Sequence, residues 1–214
     1  VDWSVTPRPS YPADGRKVMD SFSQPAELKD RLQAELGTFP LMRFWGPGAN
    51  ISSTRWIADA TIRILQWHRP SLTLAYLPHL DYNLQRLGPD DPAIDGDLAE
   101  VDAEAGRVID AAEDSGADVV VLSEYGITGV DRPVALNRVL REAGLLSVRR
   151  EALGWETLDA GGSRAFAVVD HQVAHVYVHD PGDVPRVRAI LEAIDGVDRV
   201  LGRDEQVAAG LDHH

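Results

Sequence analysis

Apolar and polar positions follow two different periods along this chain, and the change of period marks the elements. Leu28, Leu32 and Leu36 recur at i, i+4 and i+8, which lays one apolar stripe along a helix. Pro25 suits the first turn of that helix and Gly37 its end. Ile57, Ala60, Ile64 and Leu65 mark a longer helix with Ser52 or Ser53 as its cap, ending near His68 ahead of Pro70. From residue 97 to 115, Leu98, Val101, Ala105, Val108, Ile109 and Ala112 line one side and Asp and Glu cover the other. That acidic side reads as a solvated face. Two more helices are predicted over residues 134–143, stopped by Gly144, and over residues 184–194.

Between the helices lie apolar runs of strand length. Residues 72–77 form one, stopped by Pro78, and residues 118–122 another. Residues 165–169 and 173–178 read as a pair joined around Asp170-His171-Gln172. Residues 145–153 carry three consecutive charges and suit an edge strand, and residues 197–201 give a last short one. Helix and strand alternate, which predicts an α/β layer fold, and the pair after Arg164 adds a small antiparallel part. Residues 1–24 hold Pro7, Pro9, Pro12 and Asp14-Gly15 and read as an extended arm. With no repeat and no clear linker, 214 residues read as a single domain.

Charge narrows the partners. Thirty-four acidic residues face 21 basic ones, for a net charge of −13, which disfavours a nucleic-acid backbone. The chain has no cysteine, so disulfides, thiolate metal sites and cysteine nucleophiles are excluded. No apolar run approaches the ~20 residues of a membrane span, and no signal peptide is present, so the expected location is cytoplasmic. The chain starts at Val1 and stops at Asp212-His213-His214, so both ends look cut. The two terminal histidines, native or tag, are assigned nothing.

The candidate chemistry gathers at strand ends and the loops beyond them: His79, Asp81, Glu124, Tyr125, Asp170, His171 and His175. In open α/β sheets that end of a strand is where ligand sites form. Carboxylate and imidazole are the donors expected for Zn²⁺ or Mn²⁺ when thiolates are absent. Plainer readings stand beside these. His175 alternates with Val173 and Tyr177 as an ordinary strand histidine, Asp170-His171 makes a turn, and Glu124 pairs with an arginine such as Arg132.

Two stretches carry a resemblance. Tyr76 to Pro89 resembles the type I phosphodiesterase/nucleotide pyrophosphatase branch of the alkaline phosphatase superfamily. That family runs a strand into an Asp, places a His four residues on and follows with Gly-Pro; Asp81, Gln85 and Gly88-Pro89 take those places here. Its later Ser-Asp-His-Gly-Met corresponds to Ser123-Glu124-Tyr125-Gly126-Ile127, after the run Val119-Val120-Val121-Leu122. The resemblance implies a mostly parallel, alkaline-phosphatase-like helix-sheet-helix fold. It also implies a small phosphate-ester substrate and two divalent metals, zinc or alternatively manganese. Asp81 and Glu124 would then be metal ligands, His79, His171 and His175 further candidates, and Gln85 and Tyr125 substrate contacts. Gln85 and Tyr125 stand where the family has histidines, and its nucleophile is not seen before residue 39. The chain therefore reads as the middle of a longer hydrolase, inactive alone. The alternatives are a phosphomutase of the same superfamily and a non-catalytic binding or scaffolding domain with an altered site.

Overall fold

A computed structural model describes residues 1–14 and 16–211. It resolves into two compact units, Val1–Val130 and a second from Asp131 onward.

In the first unit the residues expected to form an arm make a hairpin instead. β1 (Ser4–Pro7) pairs antiparallel with β2 (Ser21–Gln24), with Ser4 opposite Gln24 and Pro7 opposite Ser21. A bridge between Ser10 and Val18 extends it. The prolines are tolerated because this two-stranded ladder consists only of edges, where a missing N–H can face outward. α1 (Ala26–Leu36) starts directly after Pro25, which stands at its N-cap position without a side-chain bond, and Gly37 ends it at φ 76°, a left-handed turn that a residue without Cβ adopts freely. Leu28 and Leu32 bury the predicted stripe against Phe39, Leu41, Phe44, Trp56 and Ala60. Phe39 meets Phe44 and Trp56 edge-on, with ring centroids 5.6 and 5.1 Å apart. The Trp56 indole N–H donates to the Gly37 carbonyl at 2.9 Å, tying the end of α1 to the next helix.

That helix, α2 (Ile51–His68), is capped by Asn50 and not by the predicted serines. The Asn50 Oδ1 accepts from the Ser52 N–H at 3.0 Å, while Ser53 turns its hydroxyl to the Arg43 carbonyl. One residue earlier is the position from which a side chain reaches the first free N–H groups. α3 (His79–Leu87) and α4 (Ile94–Asp114) follow and pack with α2. Arg55 of α2 reaches Glu100 and Glu104 of α4, and Arg107 of α4 returns to Asp59 of α2.

The strands expected over residues 72–77 and 118–122 do not form. Leu72, Leu74, Tyr76, Val120, Val121 and Leu122 are all exposed. Suitability for a sheet is a property of side chains, but a strand exists only through a ladder partner. Neither run has one among the described residues. Residues 197–201 likewise form none.

The second unit contains α5 (Leu136–Glu142) and the paired β3 (Val148–Arg150) and β4 (Glu156–Leu158). It continues with the paired β5 (Ala165–Asp170) and β6 (Val173–Val178), then α6 (Val184–Glu192) and α7 (Arg203–Ala208). Leu140, Leu145, Ala165, Ala167, Val187 and Leu191 are its buried core. Asn137 locks α5 onto β5 by bonding both the N–H and the C=O of Ala167, at 2.7 and 2.8 Å. The predicted pair of strands around residues 170–172 is present, in the expected antiparallel sense. The described residues thus form an α/β structure of seven helices and three two-stranded antiparallel sheets. No parallel pairing occurs among them, because the runs that would supply it have no partner.

Candidate functional site

Pro78 ends the irregular segment before α3, so the residues expected in a loop start a helix. Asp81 falls in its first turn, where a carboxylate complements the positive end of the helix dipole. Gln85 sits one turn on and donates an amide N–H to Asp81 Oδ1 at 2.9 Å. Tyr125, 44 residues later, donates its hydroxyl to the same oxygen at 2.8 Å. The two sequence stretches therefore meet at Asp81.

Electrostatics tighten this group. The bond to Asp81 raises the Tyr125 pKa far above the ordinary tyrosine value, since ionisation would set a phenolate against a carboxylate. Tyr76 also lies above the ordinary value, first through burial and then through the nearby charges of Asp81 and Glu124, partly offset by its contact with Tyr125. Asp81, Gln85, Tyr125 and Tyr76 are thus one cluster, and Glu124 lies close enough to act on it. Both phenols remain protonated at neutral pH.

His79 does not join them. It turns into the contact between α3 and α4, with 2% of its side chain exposed. Its Nε2 lies 3.4 Å from both Asp97 Oδ1 and Glu100 Oε2. Neither ring nitrogen makes a hydrogen bond. Asp97 and Glu100 belong to the acidic side of α4, which by sequence alone has the pattern of a solvated face. The available signal was their spacing with Glu104, at i, i+3 and i+7, which follows the inward stripe through Val101 and Val108.

His171 and His175 lie in the second unit. His171 occupies the β5–β6 turn at φ 54°, with Nδ1 2.6 Å from Asp170 Oδ1. His175 is on the outward face of β6, opposite Val168, while Ala174, Val176 and Val178 pack inward. Arg132 pairs with Asp195, within the second unit. His213 and His214 lie outside the described residues.

Residues 2–213 match the family model of the type I phosphodiesterase/nucleotide pyrophosphatases. The chain belongs to this family. It is also 30% identical over 106 residues to an uncharacterized pyrophosphatase/phosphodiesterase of Schizosaccharomyces pombe, a match covering 45% of this chain and 21% of that protein. The chain thus spans about a fifth of the length of that curated relative. No solved structure matches.

Members of this family usually depend on divalent metals. Around Asp81 the donor set is mixed: Asp81 Oδ1 accepts two hydrogen bonds and Gln85 is a neutral amide, while Asp81 Oδ2 and the nearby Glu124 carboxylate are the anionic donors a cation would use. Among the described residues, three or more His, Asp and Glu ligand atoms converge in one place, at His79, Asp97 and Glu100. In the described structure no helix is long and apolar enough to cross a membrane.

Proposed function

We propose that this phosphodiesterase-family chain contributes to hydrolysis of phosphodiester or pyrophosphate bonds by forming one wall of the reaction site around Asp81. The observation supporting this is the meeting of Asp81 and Tyr125 at 2.8 Å, which joins the two stretches that carry the family resemblance. Asp81 orients two neutral donors. Gln85 uses one amide N–H on Asp81 and keeps a second, suited to a non-bridging phosphate oxygen. Tyr125 stands beside it as a second substrate contact. Glu124 supplies a further carboxylate close to the cluster. No step is drawn through a metal at Asp81, and no hydroxyl of this chain is assigned as nucleophile. Residues 1–214 alone are therefore expected to be inactive.

The test is turnover of bis-p-nitrophenyl phosphate and of a nucleoside triphosphate, with Zn²⁺ or Mn²⁺ supplied. It is run on residues 1–214 and on the chain extended at both ends. The extended chain should cleave one or both substrates, and Asp81→Ala should reduce kcat/KM by about 100-fold, the scale of losing a group that positions the reacting centre. Wild-type rates in Asp81→Ala would remove Asp81 from the reaction. An extended chain that cleaves neither substrate would favour the second reading, a binding domain, which the two bonds already made to Asp81 Oδ1 support.

A further inference from the structure

We propose that His79, Asp97 and Glu100 form a divalent-cation site of the zinc class between α3 and α4, separate from the Asp81 cluster. The first support is His79 itself. An imidazole this buried ordinarily satisfies its ring nitrogens, because a buried polar atom without a partner costs about 1–3 kcal/mol, yet neither nitrogen of His79 is hydrogen-bonded. Nε2 instead faces two carboxylate oxygens, each at 3.4 Å. A direct charge-assisted bond would close to about 2.7–2.9 Å. The wider gap is that of ligands around an ion: with metal–ligand bonds of about 2.1 Å, the edge of a tetrahedron is roughly 3.4 Å.

The second support is how the carboxylates are held. Asp97 uses Oδ2 to accept from the Asn83 amide, leaving Oδ1 toward His79. Glu100 uses Oε1 to accept from Arg55, leaving Oε2 toward His79. Each acid is thus oriented by an outer donor while its inner oxygen stays available, the arrangement that positions ligands around metals. The three ligand atoms lie within 4.8 Å of one another. Three protein ligands leave a fourth position for water. Glu100, with 43% of its side chain exposed, gives the ion a way in.

The experiment is a titration of the protein with Co²⁺, read by the visible absorption of a tetrahedral site, followed by displacement with Zn²⁺. Wild type should take up one ion with a tetrahedral spectrum. Glu100→Gln should weaken binding at least about 10-fold, and His79→Ala should abolish it. Asp81→Ala should stay within about 2-fold of wild type, which separates this site from the reaction proposed above. Glu100→Gln keeps the side-chain shape at a half-exposed position and remains decisive if His79→Ala fails to fold. Three results would overturn the proposal: no uptake by wild type, equal uptake by wild type and Glu100→Gln, or loss of uptake in Asp81→Ala alone. The second of these covers adventitious binding by the terminal histidines.

Discussion

Replacing Tyr125 with Phe removes one hydroxyl and tests whether the segment around residue 125 is tied to α3 through Asp81. A hydrogen bond to a charged group contributes about 1.5–3 kcal/mol where solvent is excluded. Tyr125 is 48% exposed, so screening reduces this to about 1 kcal/mol. That corresponds to roughly a 5-fold change in an opening equilibrium. The segment has no ladder or helix to hold it, so cleavage of residues 118–130 by a dilute protease should rise by about the same factor. The alkaline titration supplies an independent reading. The protonated phenol makes the bond, so the folded pKa is raised. The stabilisation is fully present below the ordinary value of about 10 and is lost as pH rises through the higher folded value. Followed by tyrosinate absorbance, Tyr125→Phe should remove the latest-ionising phenol, and Asp81→Ala should bring that phenol down toward the ordinary value. An alkaline profile unchanged by Asp81→Ala would refute the tether.

Two further outcomes concern the second unit. Leu140 is fully buried beside Leu145, Val187 and Leu191, so Leu140→Ala should cost about 2–5 kcal/mol in urea unfolding; Val169→Ala, at a half-exposed strand position, should stay within about 0.5 kcal/mol. Glu205 accepts two bonds from Arg188 at 2.7 Å and one from the Gly202 N–H, which lower its pKa to about 2. Its contribution is present above the ordinary glutamate value and is lost as pH falls toward about 2. A carboxyl NMR titration of Glu205 with an ordinary midpoint, or one unmoved by Arg188→Gln, would contradict the pairing.

What the sequence revealed was what local periodicity encodes. The stripe Leu28–Leu32–Leu36, the helix through Ile57 and Leu65, and the alternation across β5 and β6 each require only near neighbours, and each is present. The hairpin of β1 and β2 was masked by Pro7, Pro9 and Pro12, which read as breakers although an edge ladder admits them. The runs at 72–77 and 118–122 failed in the opposite sense. Their side chains suit a sheet, but pairing is non-local and no periodicity reports whether a partner exists. The acidic face of α4 conceals its inward carboxylates for a related reason. Asp97 and Glu100 look like solvent-facing charge until a histidine from another helix is laid against them.

The separation of His79 from Asp81 has a simple geometric cause. In a loop, the pair could serve one metal. In α3 they are two residues apart, roughly 200° around the helix axis at 3.6 residues per turn. Side chains placed that way cannot share a partner. His79 therefore meets α4, while Asp81 meets Tyr125 and Gln85. The same first turn that gives Asp81 a favourable place for its charge thus divides the candidate chemistry into two clusters. One is rich in neutral donors suited to phosphate oxygens. The other joins an imidazole to two carboxylates and suits a cation. Lesions in the two should have separable effects, with Asp81→Ala acting on turnover and Glu100→Gln on ion uptake.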